Sequence, residues 1–409
     1  MNKPVLTLFY QFNPWNSSIG GIQTVIKYFL KYASPKFQIR MVGTGEPGDK
    51  IGSWQTRDYA GNPVEFMPLI SLADDNARGL IPTSVKYTAA LLSQDFSSDF
   101  MHFYRLEYAL ATFKWSGEKT LSIQNDTRKQ MDADACKDAI LWQKFPQAYF
   151  ALEKFLIKQF DRVYSCHTDS LDFYRQQYPA LSDRFQHLKN TVDLELFYPL
   201  SREEKQAKSK ELAGQLNLPG NTRFALAVNR LHPQKDPLLL VKAFAALPQP
   251  DVHLLIVGDG ELRTEVEAEI ARLGVQDKIT LLGLQSPARV AQLYRLSSVF
   301  AVCSAYEGVP IVALEALACG VPVVGTECGE IPLIVTPESG IVCGDRQVKT
   351  ITEALTQVLN NADIYSVEAC IAAAQPYSAE NVVSQVYQTM YETWHTENLS
   401  LNSPEYVQL

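Results

Sequence analysis

The sequence predicts an α/β protein of two doubly wound, Rossmann-like domains facing each other across a cleft. Three observations lead there. The chain has 409 residues, beyond the size at which one hydrophobic core keeps growing. In both halves, apolar runs of strand length alternate with amphipathic runs of helix length. One charged segment, Ser201 to Lys210, lacks apolar periodicity and interrupts that alternation as a linker would. The expected domains are residues 1–199 and 200–375, with 376–409 a C-terminal helical segment that could pack back on the first domain.

In the first half, Val5 to Tyr10 reads as a strand. The following loop ends in Gly20-Gly21, before a helix carrying Ile22, Val25, Ile26, Phe29 and Leu30 at helical spacing. A glycine pair there lets backbone N–H groups approach an anion, although a tight packing turn explains it equally well. Asp99 to Tyr104 and Lys119 to Ile123 are further strands, Ala148 to Phe160 is a helix, and Asp161 to Ser165 is a strand. From Trp142 to Arg162, aromatics (Phe145, Tyr149, Phe150, Phe155, Phe160) alternate with Lys144, Lys154 and Lys158. Such a stretch suits an anionic lipid surface, so peripheral membrane contact through the first domain stays open. Apolar stripes more often face a core, and the lead of Phe155 and Phe160 into Val163 favours that reading. Lys189 to Pro199 reads as a strand-like end followed by a polar turn.

The alternation restarts at Arg223. Strands Phe224 to Val228, Val252 to Val257 and Lys278 to Leu281 alternate with helices Leu238 to Ala246, Leu262 to Leu273 and Arg289 to Leu296. Then comes AVCSAYEGVPIVALEALACGVPVV, Ala301 to Val324. Val299 to Val302 reads as a buried strand, Pro310 opens an apolar helix that Gly320 closes, and Val321 to Val324 begins the next strand. A βαβ unit of this kind leaves a crevice at the carboxyl ends of its strands, where ligands bind. Glu307 falls in the loop at that crevice. Glu315 sits among Ile311, Leu314 and Ala318, where a charge is costly without a partner. Either Glu315 pairs for structure alone, or both carboxylates bind hydroxyls of a polar ligand. Arg230 and Lys235, in NRLHPQKD, follow directly from a strand and suit a diphosphate, although a solvated turn can carry the same pair. Cations for phosphates beside acceptors for hydroxyls describe a nucleotide-sugar. Helices around 351–359 and 382–394 complete the chain.

Composition narrows the classes. A formal charge of -8, weighted toward the second half, argues against non-specific nucleic-acid binding. Seven cysteines without a Cys-x-x-Cys pair suggest reduced thiols and a cytoplasmic setting, with peripheral placement at the inner face of a membrane left open. The apolar part of MNKPVLTLFYQFNPW is short for a signal peptide, and no uninterrupted membrane-spanning run occurs. Asp132-Ala133-Asp134 resembles a metal-binding pair but reads as a solvated helix face, so no metal site is expected.

Five features occur in a telling order: Gly20-Gly21; Asn190-Thr191-Val192-Asp193 with Phe197 and Pro199; Arg230-Leu231 with Lys235; Gly258-Asp259-Gly260; and Glu307 with seven residues before Glu315. With them the chain resembles retaining glycosyltransferases of the GT-B fold, family-4 type, along nearly its whole length. The resemblance implies metal-independent transfer of a sugar from a nucleotide-diphosphate donor, UDP-sugars being favoured, to a saccharide or lipid-linked acceptor with anomeric configuration kept. No cofactor is implied, since the nucleotide-sugar is a substrate. Arg230 and Lys235 would stabilise the diphosphate as its bond breaks, Glu307 would hold donor-sugar hydroxyls, and Glu315 ribose hydroxyls. Gly258, Gly308, Val309 and Pro310 would complete the donor site, Gly20 and Gly21 would reach the diphosphate from the first domain, and that domain would take the acceptor. Where many relatives carry a His after a first-domain strand, this chain has Gln124, Asn125 and Asp126. Gln124 matches that place and can donate a hydrogen bond but cannot serve as a base; a base, if one is needed, would be Asp126. His102 and His167 read as structural. Leu333 stands where relatives commonly carry Glu, and Thr191 where Gly is common. Rival classes are a nucleotide-sugar epimerase of the same architecture and a non-catalytic nucleotide-sugar-binding subunit.

Overall fold

The computed structural model describes residues 3–16, 20–72, 81–124, 145–308 and 310–401. Asn125, Asp126, Asp132, Asp134, Cys136, Trp142, Lys144 and Val309 lie outside the described residues. The chain divides into two compact α/β units. One takes the described residues up to Asn190 and the terminal helix from Ala379; the other runs from Thr191 to Ser378.

The first unit holds an eight-stranded sheet. Its strands are β1 (Val5–Phe9), β2 (Gln38–Gly45), β3 (Gln55–Tyr59), β4 (Asn62–Ser71), β5 (Phe100–Phe103), β6 (Glu118–Ile123), β7 (Arg162–Ser165) and β8 (Phe185–His187). They lie in the order β3-β4-β2-β1-β5-β6-β7-β8, parallel except for the β3–β4 hairpin. Chain order reverses at β1, with β2 on one side and β5 on the other, so the ligand crevice of this sheet belongs beyond the ends of β1 and β5. The terminal helix, Ala379–Leu401, joins this unit: the Tyr387 hydroxyl donates to the Phe29 carbonyl at 2.9 Å, and Trp394 Nε1 donates to Asp99 at 3.0 Å.

The second unit holds six parallel strands, β9 (Arg223–Val228), β10 (Val252–Val257), β11 (Ile279–Gly283), β12 (Ser297–Val302), β13 (Val323–Thr326) and β14 (Gly340–Cys343). Their order is β11-β10-β9-β12-β13-β14, with Val252 opposite Arg223 and Phe300 opposite Leu226 and Val323. The reversal here falls between β9 and β12. Both strands are nearly continuous apolar runs because helices cover both faces of such a sheet, and Ala225, Ala227, Val299 and Ala301 join Leu254 and Ile256 in one core.

Several expectations change. Ser201 to Lys210 is not a linker: it belongs to a helix, Arg202–Gln215, started by a full capping box in which Ser201 and Glu204 satisfy each other's backbone N–H groups at 3.2 Å. That helix buries only Leu212 and Ala213, so it has no apolar stripe to read, but its Ser-x-x-Glu start was visible. Lys189 to Pro199 contains no strand, only an isolated bridge from Val192 to Ser378. Residues 38–91, left without elements from sequence, supply β2, β3, β4 and the helix Thr83–Leu91. The hairpin between β3 and β4 turns at Ala60 and Gly61, with φ of 52° and 87°, where the Asn-Gly or Asp-Gly signal of a two-residue turn is missing. Phe155 does not enter a core: its ring is 57% exposed, whereas Leu156, Ile157 and Phe160 are buried.

Candidate active site

Two loops leave the second sheet where its order reverses. The first, Asn229–Asp236, follows β9; the second, Cys303–Pro310, follows β12 and leads into the helix Ile311–Ala318. They are laced together. Gln234 donates through its side chain to the Tyr306 carbonyl at 3.0 Å, and Ala305 N donates to the Gln234 carbonyl at 2.8 Å. That lacing puts Lys235 against Glu307: the ammonium is ion-paired with Glu307 Oε1, and the Ser304 hydroxyl donates to the same oxygen at 2.6 Å. Glu307 is 8% exposed, so its charge depends on those two donors.

Glycines let the neighbouring backbones approach. Gly258 has a φ of 130°, and a Cβ on it would lie 1.9 Å from the Asn229 carbonyl oxygen; one on Gly260 would lie 2.4 Å from that of Leu231. The loop after β10 therefore lies directly on the loop that carries Arg230. On the other side Gly329, φ 55°, packs so tightly that a Cβ would meet the Gly308 carbonyl at 2.1 Å, and Glu330 N donates to that carbonyl at 3.0 Å.

Arg230 and Lys235 share a loop but not a partner. The Arg230 guanidinium, more than half exposed, pairs with Glu261 at 3.1 Å, and His232 Nε2 meets the same carboxylate at 3.2 Å. Asp236 takes a left-handed conformation, φ 43°, and caps the helix Pro237–Ala245 by accepting from Leu239 N at 3.2 Å, while its other oxygen pairs with Arg346. Glu315 lies on the Ile311–Ala318 helix beside Tyr294, whose hydroxyl donates to the Val312 carbonyl at 3.0 Å. Burial pushes the Glu315 carboxyl up to about 7, against the lowering effect of the Tyr294 hydroxyl. Pro310, buried, precedes that helix.

In the first unit, Gly20 precedes the helix Gly21–Lys31 with an extended φ of 165°, which any residue adopts. A Cβ there would meet only the movable Gln23 side chain, at 2.1 Å, so backbone strain does not explain this glycine. Gln124 directly follows β6 and lines a cavity whose other walls come from the same unit. His102 is fully buried between Ser122 and Thr120, at 2.9 and 2.7 Å, and burial lowers its pKa to about 3. His167 caps the helix Thr168–Gln177 by accepting from Ser170 N at 3.2 Å. Leu333 is exposed, and Thr191 is buried beside the Val192 bridge. Among the described residues no group of three or more His, Cys, Asp or Glu is placed to hold a metal ion, the six described cysteines are all buried and free, and no helix is long and apolar enough to cross a membrane.

Sequence reasoning missed Ser304, Gln234, Glu261 and Tyr294. Glu261 directly follows Gly258-Asp259-Gly260 and so carried a signal; the others are unremarkable in sequence and acquire partners only through the packing of separate loops.

Residues 208–375 match the family described as glycosyl transferases group 1. The chain is 32% identical over 194 residues, 46% of its length, to the D-inositol 3-phosphate glycosyltransferase of Segniliparus rotundus, and this spans 42% of that relative. It is 33% identical over 188 residues, 43% of its length, to a GDP-mannose-dependent monoacylated alpha-(1-6)-phosphatidylinositol monomannoside mannosyltransferase of Corynebacterium glutamicum, spanning 47% of that protein. The chain thus spans about half or less of these relatives' lengths. In fold it is similar to the sucrose-phosphate synthase of Thermosynechococcus elongatus, with a TM-score of 0.77 at 18% identity over 96% of this chain and 100% of the other. It is likewise similar to HepE of Anabaena solved with UDP-glucose, with a TM-score of 0.70 at 17% identity over 95% and 100%. Two Rossmann-like parallel-sheet units in one chain, as in GT-B glycosyltransferases, are therefore its fold.

Proposed function

We propose that this protein is a retaining, metal-independent glycosyltransferase of family-4 type that moves a sugar from a nucleotide-diphosphate donor, a UDP-sugar by preference, to a saccharide or lipid-linked acceptor. One observation carries the reading. Lys235 and Glu307, from loops 72 positions apart in the chain, meet at the reversal point of the second sheet, inside the stretch that matches glycosyl transferases group 1.

The chemistry follows from the groups present. Glu307, held by Ser304 and Lys235, accepts hydrogen bonds from sugar hydroxyls, while the Lys235 ammonium and Arg230 balance the charge that builds on the leaving diphosphate. Backbone N–H groups at the start of the Ile311–Ala318 helix, beginning with Gly308, add donors aided by the helix dipole. Glu315 accepts from the ribose hydroxyls. In a front-side transfer the bond from the anomeric carbon to the phosphate oxygen breaks, the bond to the acceptor oxygen forms on the same face, and the acceptor proton passes to the departing phosphate oxygen. Such a step needs no side-chain base, which accommodates Gln124. The first unit also offers an anionic membrane surface an exposed pair of rings, Phe113 and Phe155, flanked by exposed Lys114, Lys154 and Lys158.

The deciding experiment incubates the protein with labelled nucleotide-sugars and a panel of saccharide and lipid acceptors. Transfer with retained configuration, undiminished in EDTA, is expected. Interconversion of the donor sugar without acceptor would make it an epimerase, and binding without turnover a carrier subunit.

A further inference from the structure

Resting on the reading of Arg230 as a diphosphate ligand, we infer that Glu261 is a displaceable stand-in for that diphosphate. It holds the Arg230 guanidinium while the donor site is empty, yields it as a nucleotide binds, and competes for it again as the nucleoside diphosphate leaves. Glu261 is thus a positioning residue that acts through Arg230.

The backbone brings the side chains together. Leu231, fully buried, is clamped by the loop after β10: its N–H donates to the Asp259 carbonyl and its carbonyl accepts from Leu262 N, each at 3.0 Å. Side chains alternate along extended backbone. His232 is extended, with φ of -132° and ψ of 149°, so Arg230 and His232 share the face that Leu231 turns away from. Glu261 lies within the 259–262 segment that clamps Leu231 and meets both neighbours. Its Oε2 is 3.1 Å from Arg230 Nη2, and its Oε1 is 3.2 Å from His232 Nε2. Gln234 N donates to His232 Nδ1 at 3.0 Å, which leaves the proton of the neutral ring on Nε2, toward Glu261.

Exposure separates this carboxylate from the neighbouring one. Glu307 is buried and receives both Lys235 and Ser304 on one oxygen, so it stays where it is. The Arg230 and Glu261 side chains are 57% and 44% exposed, and an ion pair in that much water favours its paired state only about one- to fivefold. A diphosphate carries more charge and accepts two guanidinium hydrogens side by side, so it displaces the carboxylate. His232 keeps Glu261 within reach of Arg230 for the return. Asp259, the other acid of the segment, faces Arg263 at 3.3 Å instead. Removing the stand-in therefore has a signature opposite to that of ordinary damage: the nucleotide binds more tightly and leaves more slowly.

The test titrates UDP, GDP and ADP into the full chain by calorimetry and follows release of their fluorescent mant derivatives by stopped flow. Glu261→Gln keeps the shape of the side chain and removes its charge. At least one nucleotide is expected to bind the wild type. Glu261→Gln should bind it about two- to fivefold more tightly and release it correspondingly more slowly. Arg230→Gln should bind it more weakly, and adding Glu261→Gln to that variant should bring no gain. Unchanged or weaker binding in Glu261→Gln, full-strength binding in Arg230→Gln, or an equal gain in the double variant would overturn the inference, the last because the carboxylate would then act on the diphosphate by bulk charge alone. The donor site is judged separately through Lys235→Ala. Binding that is lost there yet indifferent to Glu261→Gln keeps the donor site and removes the stand-in; binding of none of the three nucleotides removes both.

Discussion

At the scale of single residues, the Lys235–Glu307 pair has two separable consequences. Lys235→Ala should lower transfer at least about a hundredfold, the usual loss for one transition-state charge stabiliser. It should also lower the melting temperature, because Glu307 at 8% exposure loses its ion pair and, among the described residues, then keeps Ser304 as a donor. The double variant Lys235→Met with Glu307→Gln should regain stability without regaining turnover; a double variant with wild-type rates would make the pair purely structural. Glu315 sets a pH dependence. Burial holds its pKa in the folded chain up at about 7, above the ordinary glutamate value of 4.5, so between those values the unfolded chain binds fewer protons and stability falls as pH rises. The effect is complete above the folded value and amounts to roughly 3 kcal/mol at most. Melting curves at pH 5 and pH 8 should therefore show Glu315→Gln gaining on the wild type at the higher pH; parallel losses would mean the carboxyl is not desolvated.

At the scale of elements, the helix Pro146–Leu156 shows how one amphipathic segment divides its faces. Leu156 and the carboxylate of Glu153 turn inward, while Phe155 stands 57% exposed at 5.6 Å from the ring of Phe113, itself 55% exposed. Lone exposed apolar residues need no explanation, but a ring pair among three lysines matches an anionic lipid interface. Co-sedimentation should show the protein pelleting with vesicles containing phosphatidylglycerol and staying free with phosphatidylcholine alone. Phe113→Ser with Phe155→Ser should weaken that pelleting roughly tenfold or more, as losing two interfacial rings does. Equal pelleting by the double variant would assign the rings no role.

At the scale of the whole molecule, two units with separate sheets and cores need not unfold as one. A nucleotide diphosphate held by loops of the second unit should raise the transition of that unit first. At a hundred times its dissociation constant the gain is about 2.7 kcal/mol, and a scan of UDP, GDP and ADP by calorimetry would rank the donors. A transition insensitive to all three would count against the donor site.

The sequence by itself determined what depends on local pattern. The strands β9, β10 and β12, the helix opened by Pro310, and the placing of Lys235 and Glu307 just past strand ends all followed from apolar period and breaker residues, because each is a property of neighbours along the chain. Tertiary structure decided the rest. The polar helix Arg202–Gln215 has no stripe to announce it, and β2 to β4 are fixed by pairing with one another, which a linear pattern does not record. Whether Arg230 would join Glu307 could not be read from spacing; the loop of Gly258 to Glu261 packs beside it and takes the guanidinium instead. Ser304 and Tyr294 acquire their chemistry only from groups brought from other elements, since burial and hydrogen bonding are properties of neighbours in space.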